Sequence, residues 1–192
     1  ADEQSVVFGS VGRMAEVKDY PTLVRAFIDL VQQQSDLARR ARLVIVGEGQ
    51  TRQACQALLD EAGMAKLAWL PGERHDIATV MQAFDLFVLP SKNEGISNTI
   101  LEAMASGLPV IATDVGGNAD LVTTGSTGQI VPAGDPEVLA HQIVQLANNP
   151  DQAKQMGQLG RQRVEERFSM NAMVAAYLGT YDKLLRRAGV SA

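Results

Sequence analysis

A doubly wound α/β domain, with a Rossmann-like parallel sheet of about six strands, is the fold class that this sequence predicts. Short apolar runs bounded by glycine or proline recur along the 192 residues, and stretches of helical periodicity separate them. Strands that are buried on both faces give continuous apolar runs of this kind. Strand and helix alternation with long crossovers implies parallel strands, connected in the right-handed sense, with helices on both faces.

Five apolar runs predict five strands, and a weaker run predicts a sixth. In chain order these runs are Val6–Phe8, Leu43–Val46, Leu67–Leu70, Leu86–Leu89, Val110–Ala112 and Gln129–Val131. Between the first two runs, Leu23, Phe27 and Leu30 repeat at helical spacing, which predicts an amphipathic helix that faces the sheet. The polar run 32–35 marks the predicted end of that helix.

The chain from Asp135 onward is predicted to be helical, with breaks at Pro150 and at Phe168-Ser169. The C-terminal helices are therefore expected over about 150–187. The last segment carries more apolar surface than a polar tail needs, in Met173, Val174, Tyr177, Leu178, Tyr181, Leu184 and Leu185. We expect this surface to pack against another body, for which a missing partner domain is one candidate.

Length and composition limit the class of protein. The 192 residues, 46% of them hydrophobic, suit one core, so one domain over residues 1–192 is expected. The net charge of -5 argues against a nucleic-acid partner. Cys55 is the only cysteine, which excludes an intrachain disulfide and fits a reducing cytoplasm. We find no membrane-spanning run and no signal peptide, and the short polar lead before Val6 suggests an excised domain.

The loop after the fourth predicted strand is the best candidate for a ligand site. It runs over 91–98 and leads into a helix predicted from about Asn98 to Ser106, which Gly107 and Pro109 close. Ligands of open parallel sheets bind beyond the carboxyl ends of the strands. Gly95 lets the backbone approach a ligand closely, and the free N–H groups of a first helical turn favour phosphate. The sequence therefore predicts an anion site here.

Two carboxylates flank this predicted helix start, Glu94 in the loop and Glu102 about one turn inside the helix. Either can accept hydrogen bonds from sugar hydroxyls. Glu102 also fits a capping box with Thr99, in the pattern T-x-x-E, and chemistry alone does not separate the two roles. For Glu94 the alternative interpretation is a solvated loop charge.

Three ordered motifs resemble those of one enzyme family. The run Glu94–Val110 resembles the E-x7-E signature of family 4 retaining glycosyltransferases, which have the GT-B fold. The run Gly12–Lys18 is similar to that family's G-R-x-x-x-x-K loop, and Gly116–Asp120 to its G-G-x-x-E turn. The resemblance implies that this chain is the nucleotide-sugar-binding, C-terminal half of a GT-B enzyme. The N-terminal acceptor domain is then absent from it.

The resemblance also implies roles for individual residues. Arg13 and Lys18 would hold the donor diphosphate, Glu102 the ribose hydroxyls, and Glu94 would face the transferred sugar. Fixed cations can neutralise the charge that develops on a leaving nucleoside diphosphate. Catalytic roles therefore go to Glu94, Arg13 and Lys18. The other predicted contacts to the donor are Gly12, Gly95, Ile96 and Ser97, with Arg74, in the loop after the third strand, near the base.

No cofactor or metal is expected, because the chain has no Asp-x-Asp pair to hold a divalent ion and the two cations can replace it. The implied reaction is retaining transfer from a nucleoside diphosphate sugar, in bacterial exopolysaccharide, capsule or lipopolysaccharide synthesis. The fragment alone is expected to transfer nothing. We expect a cytoplasmic enzyme whose full-length form associates peripherally with the membrane.

Two alternatives and two departures from the family stay open. A non-hydrolysing nucleotide-sugar epimerase would also place carboxylates over a bound nucleotide, although the G-R-x-x-x-x-K loop argues against it. A noncatalytic nucleotide-binding module would bind without turnover. Asp120 stands where the family more often has Glu, and Ile96–Asn98 differs from the commoner Phe-Gly loop. The G-x-G run Gly47–Gly49 lacks the third glycine of a dinucleotide fingerprint, so we interpret it as a tight turn.

Overall fold

A six-stranded parallel sheet forms the centre of the computed structural model, which describes residues 5–187. Its strands are Val6–Val11 (β1), Ala41–Val46 (β2), Ala68–Gly72 (β3), Leu86–Leu89 (β4), Val110–Thr113 (β5) and Gly128–Val131 (β6). They lie in the order β3-β2-β1-β4-β5-β6, and every neighbouring pair is parallel. The predicted Rossmann-like sheet is confirmed, including its weak sixth strand. The order reverses between β1 and β4, which makes their carboxyl ends the switch point where such sheets bind ligands.

Nine α-helices lie within residues 5–187, and helices pack on both faces of the sheet. They are Tyr20–Gln33 (α1), Ser35–Arg40 (α2), Arg52–Glu61 (α3), Ile77–Met81 (α4), Asn98–Ala105 (α5), Asn118–Leu121 (α6), Pro136–Ala147 (α7), Pro150–Arg167 (α8) and Met170–Arg187 (α9). Helix α1 packs against α3 and α7, and α5 packs against α8. Short 3-10 turns precede α1 and β3.

The central strands are buried on both faces, as their continuous apolar runs predict. In β4, Leu86 and Val88 join one hydrophobic cluster, whereas Phe87 and Leu89 join the other. Successive side chains of a strand point to opposite faces, so β4 contributes to two cores at once. Helices α1, α3 and α7 cover the first core, and α4 and α5 cover the second.

Helix ends follow the signals in the sequence. Asp135 caps α7, because its Oδ1 accepts a 3.0 Å hydrogen bond from the Val138 N–H, and Pro136 follows it. Pro150 begins α8, and Ser169 separates α8 from α9, so both predicted breaks are confirmed. No helix within residues 5–187 is long and apolar enough to cross a membrane.

Cys55 offers a direct test of the first core. Its side chain on α3 is fully buried, and this burial raises the pKa of the thiol to about 11. At pH 8 a thiol with that pKa is ionised in only about one molecule in a thousand. We expect Ellman's reagent to react with the native chain at least about a hundredfold more slowly than with the guanidinium-unfolded chain. Similar rates in the two states would show that α3 does not bury this thiol against the first core.

Candidate functional site

Two loops meet at the switch point of the sheet. The first loop, residues 12–19, follows β1, and the fourth loop, residues 90–97, follows β4. Since β1 and β4 are neighbouring parallel strands, both loops leave the same edge side by side. The first loop ends in a 3-10 turn, Glu16–Lys18, and the fourth loop leads into α5. The predicted diphosphate and sugar residues therefore lie in adjacent loops.

Lys18 and Glu94 are in direct contact across these loops. Lys18 Nζ lies 2.5 Å from Glu94 Oε1, and the two side chains are 21% and 9% exposed. Ser91 Oγ donates a second hydrogen bond of 2.6 Å to the same Glu94 oxygen. This inner ion pair, Lys18–Glu94, excludes the solvated-charge interpretation of Glu94. It places a cation and a carboxylate together at the switch point, both partly desolvated, where electrostatic interactions are stronger than in bulk water.

Strand β5 fixes the base of the fourth loop. Thr113 is buried, and its Oγ1 donates a 2.6 Å hydrogen bond to the Ser91 carbonyl. The Thr113 carbonyl in turn accepts a 3.0 Å hydrogen bond from Nδ2 of the buried Asn118. Ser91 therefore bonds to Glu94 through its side chain and to β5 through its backbone. These contacts hold the Glu94 carboxylate in one position.

The turn Gly116-Gly117 lies directly behind the fourth loop. The Gly117 N–H donates a 2.8 Å hydrogen bond to the Gly95 carbonyl. Gly116 has a φ of +54°, and a Cβ there would lie 1.9 Å from the Glu94 carbonyl oxygen. Only glycine fits a left-handed conformation at so close an approach. The G-G motif therefore supports the loop that carries Glu94 and Gly95.

Helix α5 places Glu102 on its exposed side. The helix starts at Asn98 with Ser97 as its N-cap, so Thr99 lies inside the first turn. The alternative interpretation of Glu102, a capping box with Thr99, is therefore wrong, because a box needs its Ser or Thr at the N-cap. Within residues 5–187 the Glu102 carboxylate has no ion-pair partner, and the Ser97 side chain makes no cap hydrogen bond. Both the helix start and Glu102 are left open to a ligand.

The close packing of the first loop against Tyr20 explains why residue 12 is glycine. A Cβ at Gly12 would lie 2.7 Å from the Tyr20 hydroxyl, so only glycine lets that hydroxyl approach so closely. Tyr20 is fully buried, and burial raises the pKa of its phenol. Arg13 is exposed and forms no ion pair with any residue of the described range 5–187. A free guanidinium therefore lies in the same loop as Lys18.

The G-x-G run after β2 also receives a structural explanation. A Cβ at Gly47 would lie 1.9 Å from the Gly12 carbonyl oxygen, and one at Gly49 would lie 2.5 Å from that of Met14. The Met14 N–H donates a 2.8 Å hydrogen bond to the Glu48 carbonyl. The first loop therefore rests on this turn, and the two glycines allow its close approach. They position the site without forming a dinucleotide fingerprint.

Arg74 is not brought to the inner ion pair. Its guanidinium lies 5.5 Å from the centre of the Trp69 ring and forms an ion pair with Asp76. Hydrogen bonds from Arg74 hold the pKa of Asp76 below its usual range. These three side chains line a groove of about 450 Å³ on the sheet face, together with Val44 and Phe84. The assignment of Arg74 to the base stays a prediction.

Comparison with solved structures identifies the fold. The C-terminal domain of LpcC, a glycosyl transferase group 1 family protein of Francisella tularensis, matches with a TM-score of 0.78 at 22% identity. The match covers 86% of this chain and 87% of that one. Anabaena HepE in complex with UDP matches with a TM-score of 0.81 at 24% identity, over 92% of this chain and 49% of that one. The fold is that of a GT-B C-terminal domain.

Sequence comparison identifies the family. The family described as "Glycosyl transferases group 1" matches residues 5–149, and the chain belongs to it. The lipopolysaccharide core biosynthesis mannosyltransferase LpcC of Rhizobium leguminosarum bv. viciae is 32% identical over 178 residues, which is 92% of this chain and 51% of that protein. The chain spans about half the length of the curated relatives it matches.

Several residues that support the site belong to none of the three sequence motifs. Ser91 and Thr113 hold Glu94 in place, Tyr20 lies against Gly12, and Asp19 pairs with Lys92. Ser91 and Thr113 did give a signal, since each is a hydroxyl residue at the carboxyl end of a buried apolar strand. Buried polar groups need hydrogen-bond partners, so such residues point to loops held by the sheet edge.

Proposed function

We propose that this chain is the donor-binding half of a family 4 retaining glycosyltransferase that uses a nucleoside diphosphate sugar. The observation that carries the proposal is the inner ion pair at the switch point, with the free guanidinium of Arg13 in the same loop. A diphosphate needs fixed cations, and a sugar needs a hydrogen-bond acceptor beside it. The two adjacent loops supply both.

In the proposed reaction the bond between the sugar and the diphosphate breaks, and negative charge builds up on the leaving diphosphate. Arg13 and Lys18 stabilise that charge, so no metal ion is proposed. The inner ion pair keeps Lys18 extended at the site before the donor arrives. Preorganised charges need little rearrangement during the reaction. Retention of configuration is proposed from the family resemblance.

The start of α5 is proposed to complete the donor site. Its first-turn N–H groups, together with the backbone of Gly95, Ile96 and Ser97, suit an anion or sugar oxygens. The Ile96 side chain is 59% exposed beside the Gly116-Gly117 turn, and we propose that it contacts the sugar. Glu102, on the exposed side of α5, is proposed to accept hydrogen bonds from the ribose hydroxyls.

A second, N-terminal half is proposed to supply the acceptor site and to cover α9. This helix presents a stripe of exposed apolar side chains, with Tyr177, Leu178 and Tyr181 each about 60% exposed, and its main packing partner is α8. Curated relatives are about twice as long as this chain, which supports a further domain. By the same argument the isolated chain transfers no sugar.

The biological setting is proposed from the relatives, among which are enzymes of lipopolysaccharide core and capsular polysaccharide biosynthesis. We propose a cytoplasmic enzyme of bacterial polysaccharide or lipopolysaccharide synthesis, whose full-length form associates peripherally with the membrane. Membership of the group 1 family favours transfer over the epimerase. A noncatalytic nucleotide-binding module would bind the donor and show no turnover in the full-length protein.

The first test is nucleotide binding by the 192-residue chain, with UDP, GDP and ADP as probes. We expect one diphosphate to bind, and EDTA to leave its affinity unchanged. Lys18→Met and Arg13→Met should each weaken the binding free energy of the diphosphate by roughly 1–3 kcal/mol, the range for a charge-assisted hydrogen bond. The matching nucleoside should bind the variants and the unmutated chain equally well. Isothermal titration measures both ligands.

Lys154→Met is the matched control, because Lys154 is an exposed lysine on α8, beside the amino ends of β1 and β4, and should not affect binding. Equal losses for nucleoside and diphosphate would place Arg13 and Lys18 away from the phosphates. If EDTA abolished binding and manganese restored it, a metal would neutralise the diphosphate instead. If none of the three diphosphates bound, the donor-site proposal would be wrong.

A further inference from the structure

A second ion pair joins the same two loops, on the solvent side of the first. Lys92 Nζ lies 3.1 Å from Asp19 Oδ1, with Lys92 58% exposed and Asp19 only 5% exposed. The Lys92 N–H also donates a 2.8 Å hydrogen bond to the Val17 carbonyl. We call this the outer ion pair. It ties the fourth loop to the end of the first loop.

The inner and outer ion pairs are arranged reciprocally. Asp19 follows Lys18 directly in the first loop, and Lys92 lies two residues before Glu94 in the fourth loop. Each loop therefore gives one ammonium group and one carboxylate to the other. A shift of either loop along the sheet edge would break both pairs, so the outer pair restrains the geometry of the inner one.

The backbone conformation of Asp19 is unfavourable for most side chains, which indicates that the carboxylate is needed at this position. Its φ of 47° makes it the only residue other than glycine with a positive φ in the described range 5–187. Side chains other than glycine disfavour this left-handed region, although Asp and Asn tolerate it better than most. The carboxylate is held from two sides, because Thr22 Oγ1 donates a 2.8 Å hydrogen bond to Oδ2 while Lys92 binds Oδ1. Glycine would relieve the strain but would lose both contacts.

We propose that Asp19 and Lys92 are positioning residues that hold the first and fourth loops in the register at which Lys18 meets Glu94. This inference rests on the proposed function, since Lys18 is the group whose placement matters for the diphosphate. The outer pair does not contact the donor. It acts through the inner pair, so its effect on binding depends on the presence of Lys18.

The test is a double-mutant cycle on the 192-residue chain, with UDP, GDP and ADP as probes and the matching nucleosides as references. Lys92→Met keeps the backbone hydrogen bond to Val17 and removes the ammonium group, and Asp19→Asn keeps the tolerance for a positive φ. Each variant should lower the affinity for the diphosphate roughly two- to fivefold, the size expected for a half-exposed ion pair. The affinity for the nucleoside should be unchanged. In the Lys18→Met background the same changes should have no further effect. Lys92→Arg should restore binding.

Equal losses with and without Lys18 would show that Lys92 acts on the ligand directly, and no loss in either background would show that the outer pair positions nothing. Either result overturns the inference and leaves the proposed function intact. Hydrogen exchange without ligand gives a second readout. Lys92→Met should reduce amide protection in peptides covering 12–19 and 90–97, whereas Lys154→Met should not. Unchanged protection overturns the inference even if no diphosphate binds, in which case the proposed function has failed separately.

Discussion

Replacing Gly116 by alanine should strongly disrupt the site, because Gly116 lies directly behind the loop that carries Glu94. The new Cβ would lie 1.9 Å from the Glu94 carbonyl oxygen, in a residue whose φ is +54°. Left-handed strain and overpacking together should lower the free energy of unfolding by on the order of 3 kcal/mol. The fourth loop would have to move, so diphosphate affinity should fall by roughly tenfold or more, which needs only about 1.4 kcal/mol. Urea titration and isothermal titration measure the two effects.

Gly125→Ala separates strain from contact. Gly125 has a similar φ of +77°, but nothing lies within 4 Å of the position that a Cβ would take there. Backbone strain alone should therefore lower the free energy of unfolding of Gly125→Ala by about 1 kcal/mol. Its affinity for the diphosphate should be unchanged. If Gly116→Ala behaved like Gly125→Ala in both measurements, the Gly116-Gly117 turn would not be supporting the Glu94 loop.

The fold could be predicted because the central strands are buried on both faces and several helix starts carry a local signal. The six predicted strands match the observed ones to within a few residues at each end, since an apolar run cannot extend beyond the buried part of the sheet. Pro136 and Pro150 begin helices, as their fixed φ favours. Parallel topology followed from the alternation of strand and helix.

The contacts of the site could not be predicted, because they join residues far apart in sequence. Lys18 and Glu94 were assigned to different parts of the donor, and nothing local indicated that they touch each other. The purpose of Gly47 and Gly49 depends on the first loop, which packs against them. A motif names the residues of a site, whereas loop packing decides which of them meet.

The capping-box interpretation of Glu102 is wrong because of the residues just before Thr99. The pattern T-x-x-E fits Thr99 and Glu102, but Ser97 precedes it and takes the N-cap of α5, two residues earlier. Both residues are good N-caps, so sequence alone did not choose between them. The outcome bears on function, because it removes the structural role that competed with ribose binding at Glu102.

The two carboxylates should now be separable by experiment. Glu102→Gln should weaken the binding free energy of plain nucleoside diphosphate by roughly 1–3 kcal/mol, because the variant lacks a charged acceptor at the proposed ribose contact. It should not change the melting temperature, since the side chain is exposed and unpaired within residues 5–187. The 2′-deoxy form of the diphosphate should already bind poorly to the unmutated chain. Normal binding of both ligands would remove Glu102 from the site.

Glu94→Gln should give the opposite pattern. The variant keeps the shape of a side chain that is 9% exposed but removes the charge that neutralises Lys18. Affinity for plain diphosphate should stay almost unchanged, because the glutamine oxygen can still accept a hydrogen bond from Lys18 and so keep it in position. Turnover of the nucleotide sugar by the full-length enzyme should fall by roughly 10²- to 10³-fold, the cost of losing one group that stabilises a transition state. Release of diphosphate from the nucleotide sugar measures this loss. Unchanged turnover would mean that Glu94 only holds Lys18 in place and does not act on the sugar.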